Sequence, residues 1–191
     1  MIGAEHIWKA YGAEEVLRDV SFAAPAGQIA CLMAPSGRGK TTLLRILLGL
    51  EAPDRGRVLR PEPCRWSAVF QEDRLLEQLD AMGNLRFVLG TALEEGRALA
   101  LLEELGLDGR DPKPVRAYSG GMRRRLALAR ALLAPFDALV LDEPFTGLDE
   151  ESRERCIAAL LRETADRPVV LVTHDSADVR AIGGTVVRLG V

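Results

Sequence analysis

An α/β fold is expected from this sequence: a parallel sheet core, with an antiparallel β edge before it and an all-helical stretch inserted into it. Three observations support that reading. Hydrophobic residues make up 48% of the chain but aromatics only 5%, so the core is aliphatic, which suits helices packed on a sheet buried on both faces. Apolar runs of strand length recur at residues 29–33, 138–141 and 169–173. Between residue 72 and about residue 131 the pattern becomes helical, with Leu99, Leu102 and Leu105 at helix spacing and no strand-like run. At 191 residues, the chain has room for one well-buried domain.

The elements follow in order. Residues 2–7 and 16–23 read as short strands, with Val16, Val20 and Phe22 at even spacing and Gly12 and Pro25-Ala26-Gly27 as turns. Residues 29–33 form a buried strand that runs into a helix from about Gly39 to Leu48, ended by Gly49. Residues 52–63, rich in Gly, Pro and Arg, are turns between short strands, and residues 67–70 are a further strand. After the helical stretch come a strand at 138–141, an amphipathic helix from about 150 to 164, a strand at 169–173 and a last one at 186–189. There is no internal repeat, low-complexity tract or linker.

Composition narrows the function. A net charge of −3 gives no basis for bulk attraction to nucleic acid, which is not expected as a partner. No apolar run approaches the roughly 18 residues of a membrane span, and the N-terminus lacks the layout of a secretory signal. A soluble, cytoplasmic protein is expected, with any membrane association made through a partner. Cys31, Cys64 and Cys156 are odd in number and widely spaced, with no metal-binding pattern, and read as small packed hydrophobes.

The run Ala34-Pro35-Ser36-Gly37-Arg38-Gly39-Lys40-Thr41-Thr42 reads as a phosphate-cradling loop. Glycine is needed where backbone N–H groups turn inward onto phosphates, and lysine neutralises the outer oxygens. Gly37, Gly39 and Lys40 fill those places. Thr41 supplies the hydroxyl expected on Mg²⁺ and Thr42 a further donor, while the helix starting there adds its positive dipole end. The first glycine of the pattern is replaced by Ala34. A positive φ there would strain alanine by about 1 kcal/mol, and a negative one would cost nothing.

Asp142 and Glu143 close the run 138–141. Ligands of α/β sheets sit at the C-terminal strand ends, where 29–33 and 138–141 both finish. Asp142 is placed to hold Mg²⁺ through water. Glu143 is placed to polarise an attacking water, an effect typically of about 10²–10⁴-fold in rate. His174 follows the strand 169–173 and can reach the outer phosphate or that water. Gln71, after the strand 67–70, offers a neutral amide to Mg²⁺ or its water while moving with the helices. Tyr118-Ser119-Gly120-Gly121-Met122 precedes a long helix whose bare N–H groups make a second anion site. Since the chain already has one phosphate loop, that site is expected to face a phosphate held by another copy. Arg123, Arg124 and Arg125 read as a solvated helix face, and His6 as an ordinary strand residue.

The phosphate loop, Ser119-Gly120-Gly121 and Leu139-Val140-Leu141-Asp142-Glu143-Pro144 together resemble the ATP-binding cassette (ABC) ATPase family, over nearly the whole chain. The resemblance implies a P-loop NTPase fold with a RecA-like core, an N-terminal antiparallel β subdomain and an inserted helical subdomain at about 72–131, all within one domain over residues 1–191. It implies ATP hydrolysis with Mg²⁺ and head-to-tail pairing with a second cassette, as a homodimer that sandwiches two ATP molecules. Ser119, Gly120 and Gly121 would grip the ATP of the other chain. By the same resemblance Asp149, in Gly147-Leu148-Asp149, lies near the opposing loop, His174 matches the family's switch histidine, and Tyr11 is placed like the aromatic that stacks on adenine. Many relatives continue beyond the position of Gly190-Val191, so no C-terminal regulatory domain is expected.

Two function classes stay open at this stage. A cassette without spans fits the ATPase subunit of a transporter, peripheral on the inner face of the membrane. Integral membrane permease subunits would dock around Gln71 to Asn84, on Leu75, Leu76 and Met82. The run Val69-Phe70-Gln71-Glu72-Asp73-Arg74-Leu75-Leu76, with Asn84 following, resembles the nitrate, sulfonate and taurine importer group, which implies uptake of a small solute. The alternative is a cassette working off the membrane in DNA repair or on ribosomes. Relatives of that kind usually carry a coiled-coil insertion or a second cassette, and neither is visible. A non-catalytic sensor accounts for Ala34 but not for Lys40, Asp142, Glu143 and His174, and a P-loop kinase has no use for Ser119-Gly120-Gly121.

Overall fold

The structure is a computed structural model that describes residues 1–34 and 38–189. Its core sheet contains β3 (Ile29–Met33), β5 (Trp66–Val69), β6 (Ala138–Asp142), β7 (Val169–Val172) and β8 (Thr185–Arg188). These strands pair in the order β5-β6-β7-β3-β8, all parallel. Every residue of β6 and β7 is buried, as expected of strands covered on both faces.

The antiparallel sheet, in the order β2-β1-β4, is built from β1 (Ile2–Tyr11), β2 (Glu14–Ala24) and β4 (Arg55–Leu59). Its strands are longer than expected and its inner face differs. Leu17, Val20 and Ala24 are buried, whereas Val16 and Phe22 are only half-buried. The even spacing fails because the pairing is bulged. His6 (φ 52°) and Asp19 (φ 49°) lie in the left-handed region, and the register shifts on either side of Ile7. An extra residue rotates the following side chains, so positions 17 and 20 share a face although three apart. His6 is a strand residue as expected, with its Nδ1 2.6 Å from Asp19.

The helices are α1 (Lys40–Leu47), α2 (Ala81–Leu89), α3 (Glu95–Glu104), α4 (Gly120–Leu133), α5 (Glu150–Glu163) and α6 (Ser176–Ile182). The short α6, capped by Asp175, was not legible in the sequence. α2, α3 and α4 occupy the helical stretch and bury Leu85, Leu102, Leu105 and Leu126 together. Ser67 of β5 ties α4 to the sheet by donating its hydroxyl to the Ala131 carbonyl at 2.8 Å. Cys31 and Cys156 are buried and free, and burial pushes their thiols up to about 11 and about 12, as for inert packed cysteines. Among the described residues, no helix is long and apolar enough to cross a membrane.

The loop entering β8 packs tightly on β3: a Cβ on Gly184 would stand 2.4 Å from Cys31 Sγ and 3.1 Å from the Ile29 carbonyl. Gly184→Ala should cost about 1–3 kcal/mol by overpacking. Adding Cys31→Ala should recover part of that loss, seen as a favourable coupling in a double-mutant cycle of urea midpoints. Strict additivity of the two substitutions would refute this packing.

Candidate nucleotide site

Because the strands are parallel, their C-terminal ends share one edge of the sheet, and the singled-out residues of α1, of the end of β6 and of the loop after β5 gather there. Gly39, Lys40, Thr41, Thr42, Gln71, Asp142 and Glu143 line one cavity of about 380 Å³, and Tyr11 and Val16 from the β edge close one side. Gly39 caps α1 with φ 77°, and a Cβ there would come within 2.7 Å of Leu17 Cδ2 and the Val16 carbonyl, so only glycine fits. The Lys40 ammonium is held by the Ala34 carbonyl. Ala34 is not among the described non-glycine residues with positive φ, so its substitution for glycine brings no left-handed strain. Arg38 is exposed, whereas Pro35, Ser36 and Gly37 lie outside the described residues.

Asp142 ends β6 and is 5% exposed. Burial, and then the charge of Glu143, push its carboxyl above the usual range, against the pull of Lys40 and Arg124. A cation beside it would relieve that penalty. The Asp142 carboxylate, Thr41 hydroxyl and Gln71 amide are hard oxygen donors of the kind Mg²⁺ accepts. No cluster of three or more His, Cys, Asp or Glu side chains forms a cage among the described residues. Mg²⁺ fits such a partial set, because it keeps waters and takes substrate phosphate oxygens.

Glu143 has φ 51°, a strained backbone that persists only where its surroundings hold it. Its N–H donates to the Val172 carbonyl at 2.9 Å, tying the end of β6 to β7. Both carboxylate oxygens lie 2.9 Å from His174 Nδ1. That hydrogen bond and the carboxylate charge raise the His174 pKa, and an Nδ1 proton shared with Glu143 sets the ring's tautomer when it is neutral.

Behind His174 lies a brace that sequence reading missed. Thr173 donates its hydroxyl to Asp178 at 2.9 Å, and Arg153 of α5 donates to the same carboxylate at 3.0 Å. Arg153 and Asp178 look like unrelated surface charges of two helices. The available signal was that Asp178 shares the inner stripe of α6 with Val179 and Ile182, where an apolar residue is ordinary.

The residues expected to form a second anion site do not line that cavity. Ser119 caps α4, its Oγ accepting from Met122 N at 3.2 Å, and Asp149 caps α5, accepting from Ser152 N at 2.8 Å and Ser152 Oγ at 3.1 Å. These bonds hold the Asp149 carboxyl below the usual range. Ser119 and Gly120 are exposed, with open space where a Cβ on Gly120 would stand. A Cβ on Gly121 would lie 3.6 Å from the Gly147 carbonyl, so the segments of Ser119 and Asp149 form one exposed corner.

The family pattern described as ABC transporter matches residues 17–146. This chain belongs to that family. It is 41% identical over 180 residues, 91% of its length and 73% of the relative's, to an aliphatic sulfonates import ATP-binding protein of Rhodococcus jostii. It is 38% identical over 192 residues, 95% of its length and 70% of the relative's, to a protein of the same description from Burkholderia lata. Among solved structures, an ATP-binding subunit of an ABC transporter superposes with a TM-score of 0.87 at 25% identity, covering 99% of this chain and 85% of that one. A dimeric bacterial ABC transporter cassette superposes with a TM-score of 0.82 at 28% identity, covering 99% and 94%. The α/β P-loop NTPase fold and the assignment as an ABC ATPase hold.

Two expectations about this cassette need correction. Arg123–Arg125 is not simply a solvated face: Arg124 is 8% exposed and donates to the Phe70 and Gln71 carbonyls at 2.8 and 2.7 Å. Arg125 donates to the Leu105 carbonyl at 2.7 Å, just past the end of α3. Backbone carbonyls outside regular structure demand donors, and these arginines reach them. Met82 is buried in the helical core rather than presented to a partner, because it lies on the inner stripe of α2. Leu75 and Leu76 remain half-buried, while Asn84 is buried and uses its amide to close residues 76–80. Tyr11 stays 48% exposed at the cavity wall, its hydroxyl donating to Glu51.

Because Glu143 favours the imidazolium, the His174 midpoint should lie above about 6.5, the ordinary histidine value, in an NMR pH titration of the nucleotide-free cassette. Glu143→Gln should lower it toward that value. An unmoved midpoint would show that the pair does not form in solution.

Proposed function

We propose that this cassette is the ATP-hydrolysing subunit of an importer for a small organic anion of the aliphatic sulfonate type. It would act as a pair of identical chains on the cytoplasmic face of the membrane, beneath integral permease subunits that dock around Gln71 to Asn84. The observation that carries this reading is the separation of two groups of candidate anion-binding residues in one chain: the cavity of Lys40, and the exposed corner of Ser119 and Asp149 that does not line it. A second copy supplies the missing half of each. The solute follows from relatives described as aliphatic sulfonates import ATP-binding proteins. The absence of a membrane-spanning helix among the described residues is consistent with separate permease subunits.

In this mechanism the triphosphate lies on residues 34–42, with Gly39 N–H, Lys40 and Thr42 on its oxygens and the adenine against Tyr11. Thr41, Asp142 and Gln71 would hold Mg²⁺, which would supply charge neutralisation at the outer phosphates. Glu143 accepts a proton from water as the water oxygen bonds to the terminal phosphorus. The bond to the bridging oxygen then breaks, leaving ADP and phosphate. His174 holds the Glu143 carboxylate in place and reaches the terminal phosphate. Ser119, Gly120, Gly121 and Asp149 of the second copy complete the pocket and exclude bulk water, so hydrolysis waits on pairing.

Glu143→Gln should slow hydrolysis by at least about 10²-fold while retaining ATP, so that dimers accumulate on a sizing column. A variant that stays monomeric in saturating ATP would sink the shared-site mechanism. Purification from native membranes should recover a multi-span protein with the chain; recovery with ribosomes or DNA instead would move the function off the membrane.

A further inference from the structure

Residues 70–76, which carry Gln71, belong to no helix or strand, yet four of their carbonyls are bound by two arginines of α4. Arg124 Nη1 and Nη2 donate to the Phe70 and Gln71 carbonyls at 2.8 and 2.7 Å. Arg130 Nη2 and Nη1 donate to the Asp73 and Arg74 carbonyls at 2.8 and 2.6 Å. The Arg124 guanidinium also lies 3.1 Å from the Asp73 carboxylate. A planar fork on two successive carbonyls fixes orientation as well as distance, which a flexible ammonium does not. At the end of the loop, Arg74 has φ 48°, a strained backbone held in place by Arg130.

We propose that Arg124 is the positioning residue that joins the two ATP sites through one chain, carrying displacement of the Gln71 backbone in its own site to Ser119 in the opposing one. Ser119 caps the same helix five residues earlier, roughly 7–8 Å along the axis. A helix of this length moves as a body, so the start that presents Ser119 and Gly120 cannot shift without pulling the Phe70 and Gln71 carbonyls. Nucleotide engaging Gln71 thereby sets the angle at which Ser119 meets the second nucleotide. Arg130 anchors the far end of the loop, and Arg124 grips it at Gln71 itself.

This inference rests on the reading that Ser119 serves the opposing chain, and one experiment separates the two. In a Glu143→Gln background, analytical ultracentrifugation gives the ATP concentration at half-dimerisation, and calorimetry gives the ADP affinity of the monomer. Arg124→Met should raise the half-dimerising ATP concentration at least about tenfold, within the usual range of coupling between sites, while the affinity for ADP measured without Mg²⁺, which does not draw on Asp142, stays within about twofold. Arg124→Lys, which keeps the charge but loses the fork, should fall between. A half-dimerising concentration that neither variant moves overturns the proposal. So does a parallel loss of ADP affinity and dimerisation, the mark of a purely structural staple. Should the Met variant not fold, the Lys variant decides by the same two measurements. If Glu143→Gln alone never dimerises, the shared site fails and this coupling falls with it.

Discussion

Asp142 ends a strand with no exposed residue, and the chemistry of the site is organised around that buried charge. The parallel sheet leaves it no alternative position, because β3, β6 and β7 must all release their C-terminal ends along the same edge. An acid there pays a desolvation penalty unless positive charge is close. Lys40 at the start of α1 and Arg124 of α4 supply part of it. The remainder makes the edge receptive to a cation carrying phosphate.

Glu143 belongs to the same edge but meets a different demand. Its neighbour is buried, whereas the water-activating role proposed for Glu143 needs access and a fixed orientation. The chain satisfies this with a strained backbone at Glu143, a main-chain bond to β7 and the imidazole of His174 on its carboxylate. His174 is itself set by the brace of Thr173, Asp178 and Arg153, which leads back to α5 and therefore to Asp149. Glu143 and the segment of Asp149 are thus linked through His174 and the hydrogen bonds of its neighbour Thr173, and both line one cavity.

Ser119 and Asp149 show how a residue with a structural task can also take the role proposed for it. Each caps a helix with its side-chain oxygen, which holds the helix start in shape. The remaining N–H groups of that first turn stay open to an anion. Capping and phosphate binding are not rivals at such a position. The first supplies the geometry that the second uses.

Much of this was legible in the sequence, and the part that was not has a common cause. The apolar runs marked the parallel strands, Gly39 and Lys40 fell at the start of α1, and Asp142, Glu143 and His174 fell at strand ends, because those signals are local and backbone geometry alone dictates their residue types. The bulge that moved burial from Val16 to Leu17 depends on strand pairing, which no window of β2 contains. The burial of Arg124 and the partial burial of Arg153 were equally hidden: each guanidinium reaches a partner far away in the chain, 54 residues for the Phe70 carbonyl and 25 for Asp178. By itself, the sequence determined the fold class and the family, and it marked Lys40, Asp142 and Glu143 as candidates along one sheet edge. Only the tertiary structure decided which charges are buried and what they hold, because burial belongs to the packed surfaces of distant segments.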